Sequence, residues 1–177
     1  MSDHSSTFSG TVYRAHNPRW AYAPESGEGA KKFGGRFNRP GTPALYTSLS
    51  PETAWLEAQQ GFAFKAQPMT LCAYEAEFTK LYDLRDADVL ASLNVTLADL
   101  GCAWEAVSDE KKIPPTWRMA ERLMSMGVSG ILVPSFASGA KPHDVNAVFW
   151  KWGPAMPHRL VVIDDLDRLP RNDDSWR

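Results

Sequence analysis

From Gly10 to Ala15 the side chains alternate, Val12 and Arg14 on one side and Thr11 and Tyr13 on the other, the two-residue period of a strand. Ala44 to Ser48 reads as a second short strand. Ser50 followed by Pro51 starts a helix, with a side-chain acceptor at the N-cap and a pre-set φ at the first helical position. That helix runs to about Gln60, with Gly61 as its stop. Met69 to Phe78 alternates again as a strand, and Asp86 to Leu100 holds one or two short helices with Thr96 as a second cap. Lys111-Lys112 and Pro114-Pro115 mark an exposed turn. A helix over Thr116 to Met126 follows, with Trp117, Ala120, Leu123 and Met124 on one stripe and Gly127 as its stop. Three strand-like runs complete the chain, Val128 to Val133, Val145 to Trp150 and Leu160 to Ile163.

Residues 1–9 are small and polar and read as a flexible tail, and residues 167–177 read as a polar tail. Residues 16–35 read as one long loop holding Pro18, Pro24, Gly27, Gly29, Gly34 and Gly35, together with Trp20 and Tyr22. A connection of that length in a compact domain is usually functional or disordered, and its aromatics favour packing over something. Short strands around a few helices predict a single α+β domain over residues 10–166 rather than a parallel βαβ array.

At 177 residues the chain buries roughly two thirds of its unfolded surface and needs no disulfide or metal to fold. Its 19 basic and 21 acidic residues give a formal charge of −2 and no basic stripe, which argues against direct nucleic-acid binding. Cys72 and Cys102 lack CxxC spacing, as in a reduced intracellular protein. His4, His16, His143 and His158 lack the i, i+4 pairing of a helical zinc site, so no metal is expected. No apolar run approaches the ~20 residues of a membrane span, and the start MSDHSSTFSG has no secretory pattern, so a cytoplasmic protein is expected. No GxGxxG opens a helix, so a dinucleotide would be bound outside the Rossmann scheme.

The chemistry concentrates between Gly34 and Glu57. Gly34 and Gly35 free the backbone ahead of Arg36, which reads equally as an anion receptor at the mouth of a cleft and as a loop arginine held by a carbonyl. Tyr46 ends a strand. Glu57 shares a helical face with Ala54 and Ala58, and a carboxylate on an apolar face costs several kcal/mol unless it is paired or useful, which makes it the best catalytic candidate. Glu52, in the first turn, suits the helix dipole and needs no such account. Ser135 ends an apolar strand and is a candidate ligand contact, and Asn146 starts another as a candidate donor behind the site.

Tyr13-Arg14, SGEGAKKFGGRFN from Ser26 to Asn38, ALY ending at Tyr46, the helix carrying Glu57 and GILVPS ending at Ser135, taken in that order, resemble the RES domain, the toxin half of a bacterial toxin–antitoxin pair. The resemblance runs from about Val12 to about Trp150, and Phe37 stands where the family usually has tryptophan. It implies an ADP-ribosyltransferase-like α+β fold with a mixed or antiparallel β core and flanking helices. It also implies an enzyme that takes NAD⁺ as substrate, without metal, and cuts its nicotinamide–ribose bond. In that setting Arg14 and Arg36 hold the pyrophosphate, Tyr46 stacks on nicotinamide, Glu57 stabilises an oxocarbenium-like transition state, and Ser135 and Asn146 complete the binding site. Glu57, Tyr46 and Arg36 are the implied catalytic residues. The leading reaction is ADP-ribosyl transfer to a protein target; hydrolysis or phosphorolysis of NAD⁺ is the alternative. The resemblance further implies a cognate Xre-like helix-turn-helix antitoxin, to which any DNA contact would belong. A non-catalytic module that holds a nucleotide or a partner through the same arginine loop is the rival class, and binding without turnover is its signature.

Overall fold

Two long strands carry the sheet. In the computed structural model, which describes residues 4–59 and 66–177, β1 (Ser6–His16) and β3 (Thr70–Asp83) pair antiparallel from Ser6↔Leu81 to His16↔Thr70. Both exceed the runs that alternation predicts. β1 begins at Ser6 instead of Gly10, so Ser6 to Ser9 belong to the sheet and not to a flexible tail; β3 continues past Phe78 to Asp83. The physical reason is pairing: Ser6 to Ser9 lie along β3, and Leu81 to Asp83 run parallel to β4 (Gly130–Pro134). A partner strand draws small polar residues into the ladder whatever their own preference.

With β2 (Leu45–Ser48), β5 (Val145–Phe149) and β6 (His158–Val162) the strand order is β1-β2-β5-β4-β3-β6. The β1–β3 pairing closes the first five strands into a ring, and β6 adds to β3 outside it. Among the strand pairs of the described residues only β3–β4 is parallel, so this is a mixed sheet in an α+β domain. Every strand contributes to one apolar cluster, among them Val12, Leu45, Tyr74, Phe78, Leu132, Phe149 and Leu160. Phe78 and Phe149 stack there with centroids 4.1 Å apart. Alternate positions of the same strands, Ile131, Val133 and Val148, belong to a second cluster under α3 (Ala87–Leu93), α4 (Leu97–Leu100) and α6 (Pro115–Ser125). The period-two pattern thus serves two cores with one set of strands.

α2 (Pro51–Ala58) starts as its sequence dictates, with Ser50 Oγ accepting from the Thr53 N–H. Gln60 and Gly61, read as its end, lie outside the described residues. Thr96 and Asp99 form a reciprocal capping box on α4, and α6 buries Trp117, Ala120 and Leu123 before Gly127 turns at φ 77°. Two short helices go beyond the sequence reading: α1 (Glu28–Phe33), inside the run read as one long loop, and α5 (Trp104–Asp109), six residues each, neither with a side-chain cap. Helices this short are held by tertiary contact more than by propensity, which is why local pattern does not announce them.

Candidate active site

The Arg36 turn is built first. Gly34, at φ 75°, closes α1, and Gly35 and Asn38 then bond to each other through both N–H···O=C pairs, at 3.0 and 3.3 Å. A Cβ on Gly35 would lie 2.5 Å from Tyr46 Oη, so glycine is required for the tyrosine to approach. Tyr46 Oη accepts from the Phe37 N–H at 2.9 Å and donates to Asn38 Oδ1 at 2.7 Å. Asn38 Nδ2 donates to the Ala30 and Thr42 carbonyls, while Trp117 and Trp150 donate their indole N–H groups to the Gly35 and Phe37 carbonyls. Burial pushes the Tyr46 phenol well above its ordinary pKa, so it remains a donor at neutral pH. From this turn the Arg36 guanidinium reaches the end of α4, where Nη1 donates to Leu100 O at 3.1 Å and Cys102 O at 2.5 Å, with the Phe136 ring 5.1 Å away. Arg36 is therefore a loop arginine held by carbonyls, and it also lines the cleft.

Glu57 is anchored from the sheet. Its Oε1 accepts from Ser135 Oγ and from Asn146 Nδ2, both at 2.5 Å, and Asn146 Oδ1 in turn accepts from Ser48 Oγ at 2.7 Å. Asn146 lies opposite Ser48 on β2 and Val133 on β4, so strand register sets the position of the carboxylate. One turn earlier, Thr53 Oγ1 donates to Asp144 Oδ1 at 2.6 Å. That bond and the Lys141 N–H hold the Asp144 carboxyl below its usual range. The helical face behaves differently from expectation. Ala54 is buried but Glu57 is half-buried and Ala58 exposed, so the carboxylate faces a cleft and two donors offset its desolvation.

The cleft has two lobes, of about 430 and about 220 Å³, and Arg14, Tyr46, Glu57 and Asn146 line both. Arg36, Phe33, Trp104 and Phe136 belong to the larger lobe; Tyr13, Ser48 and Ala54 belong to the smaller. Arg14 reaches the site from β1, and its Nη1 donates to the Pro24 and Ser26 carbonyls at 3.0 Å each. Burial lowers its pKa, while the neighbouring Tyr74 acts in the opposite sense. Of the six residues singled out from sequence, five line the cleft, and Ser135 touches it through Glu57. Sequence reasoning passed over Asn38, Trp117 and Trp150, which fix the Arg36 turn, and Asp144, which fixes α2. Trp117 lies 82 residues from the carbonyl it holds, and no local pattern signals such a contact. Among the described residues, no group of three or more His, Cys, Asp and Glu is placed to hold a metal ion, and no helix is long and apolar enough to cross a membrane.

The fold is thus a small α+β domain whose mixed sheet gathers two arginines, a tyrosine and an oriented carboxylate around one cleft. The family is identified by the RES domain model, which matches residues 11–172, and the chain belongs to that family. A chain of the crystal structure of the M. tuberculosis MbcT–MbcA toxin–antitoxin complex superposes with a TM-score of 0.61 at 22% identity, over 90% of this chain and 84% of that one. At that identity the likeness establishes the fold. No curated protein sequence matches.

Proposed function

We propose that this chain is the toxin of a toxin–antitoxin pair and acts on NAD⁺ in the cytoplasm, cutting the nicotinamide–ribose bond and transferring ADP-ribose to a protein side chain. The observation that carries the reading is the waist of the cleft, where an oriented Glu57 carboxylate, Arg14 and Tyr46 line two unequal lobes at once. A dinucleotide broken at its nicotinamide end needs such a division, with the larger lobe for ADP-ribose and the smaller for nicotinamide. Glu57 accepts a hydrogen bond from a ribose hydroxyl and stabilises the positive charge that grows as the C–N bond lengthens and its electron pair leaves with neutral nicotinamide. An acceptor lone pair then closes on the same carbon and sheds a proton. Arg36 holds the pyrophosphate and keeps the sugar in line.

Hydrolysis or phosphorolysis of NAD⁺ is a second reading. It is favoured by the size and charge of the smaller lobe, whose roughly 220 Å³ and Arg14 suit water or an inorganic anion as acceptor once nicotinamide has gone. An Xre-like helix-turn-helix antitoxin is the proposed partner. The decisive experiment incubates the purified chain with NAD⁺ labelled in the ADP-ribose half, in cell lysate. Label on a protein band supports transfer, label confined to small molecules supports hydrolysis or phosphorolysis, and NAD⁺ binding without nicotinamide release supports a binding module.

A further inference from the structure

We infer that Phe33 and Trp104 form the seat of the purine ring at the outer end of the larger lobe, an assignment that rests on NAD⁺ being the substrate. The breaking bond lies at Glu57, in the waist, so the remainder of the dinucleotide extends away from it. Arg36, the cation for the pyrophosphate, lines the larger lobe. The adenine therefore comes to rest beyond Arg36, among residues that line this lobe and not the smaller one.

Four such residues are aromatic. Phe37 is buried in the turn, and Phe136 lies against the Arg36 guanidinium, which places it at the pyrophosphate and not beyond it. Phe33 and Trp104 remain. Phe33 is the last residue of α1 and is 72% exposed, a phenyl ring left in water at the rim of a cavity, with the Lys32 ammonium 5.1 Å from its centroid. Trp104 opens α5 and is half-buried against Trp117, centroids 6.2 Å apart; Trp117 is itself pinned to the Gly35 carbonyl. One ring is mostly in water, with a mobile surface ammonium at its side, and the other is propped from behind. Together they offer a flat base two π-faces, an interaction that needs no hydrogen-bond code.

Calorimetry with NAD⁺ and with nicotinamide mononucleotide, which lacks the adenylate half, tests the assignment. Phe33→Ala and Trp104→Ala should each weaken NAD⁺ by about tenfold and leave the mononucleotide within about twofold, and Phe33→Trp should restore NAD⁺ binding. Because Phe33 is so exposed, its variant isolates the effect from folding. If both alanine variants bind NAD⁺ like the parent, the purine seat is wrong while the substrate assignment stands. Equal weakening of both ligands overturns the seat in favour of a general role in shaping the lobe. A parent chain that binds neither ligand overturns the substrate reading itself and the seat with it.

Discussion

The two walls of the cleft are built on opposite plans. On the cation wall, Arg14 and Arg36 spend guanidinium donors on backbone carbonyls of distant segments, Pro24 and Ser26 in one case and Leu100 and Cys102 in the other. On the carboxylate wall, Glu57 is held by Asn146 at a fixed register position of the sheet and by Ser135 just past the end of β4, and the strand pairing does not depend on it. The cations are thus struts as well as proposed ligands, whereas the carboxylate is mounted on finished scaffold. The two walls should respond differently to mutation.

The largest effect is expected at Glu57. Glu57→Gln keeps an Oε1 acceptor for Ser135 and Asn146, so thermal stability should change little while nicotinamide release falls about a hundredfold or more. Expressed in bacteria, the parent should arrest growth and this variant should not at equal protein level. A near-normal turnover rate, or an arrest that persists, would remove Glu57 from the mechanism.

Arg36→Ala sharpens the contrast by moving two observables together. Losing a charge-assisted bond to a pyrophosphate should weaken NAD⁺ by about 1.5–3 kcal/mol. Unlike Glu57→Gln it should also lower the melting temperature, because two carbonyls lose their donor. Weaker binding with an unchanged melting temperature would refute the strut.

Tyr46→Phe tests the turn behind that cation. It strips the partner from the Phe37 N–H and from Asn38 Oδ1, and should cost about 1–3 kcal/mol of stability, read by chemical denaturation. A neutral outcome would mean that Trp117 and Trp150 suffice to hold the turn.

The smallest effect is at Asp144. A carboxyl whose pKa is lower in the folded state stabilises the fold above the ordinary carboxylate pKa, and that contribution is lost as pH falls through the folded value. Asp144→Asn should therefore be slightly less stable than the parent at pH 7 and lose less stability below about pH 4. Parallel stability-versus-pH curves would rule out the linkage.

Much of this frame is written locally. Ser50-Pro51, Thr96 and Gly127 each announce a helix boundary by the chemistry of a single position, and the stripe from Trp117 to Leu123 announces a buried face. The strands β2, β4 and β5 are likewise legible as short strand-like runs between turns. α1 is not: EGAKKF lies between glycines, and it is tied down by Asn38 on the Ala30 carbonyl and by the Gly41 N–H on Lys31. The candidate site divides along the same line. Arg36, Tyr46 and Glu57 stand out because their chemistry is unusual in their local setting. Trp117, Trp150 and Asp144 look like ordinary residues until distant segments meet.

The ring of strands also sets when the site comes into being. Ser48 meets Asn146 across β2 and β5, 98 residues apart in the chain, and Glu57 meets Ser135 across 78. A polypeptide emerging from the ribosome therefore carries Arg14, Arg36, Tyr46 and Glu57 well before it carries the partners that orient the carboxylate. Fragments that stop short of Asn146, whether from stalled ribosomes or damaged messages, have the reactive groups without the floor beneath them. For a protein whose proposed substrate surrounds it during synthesis, the carboxylate stays unoriented until β5 has been made.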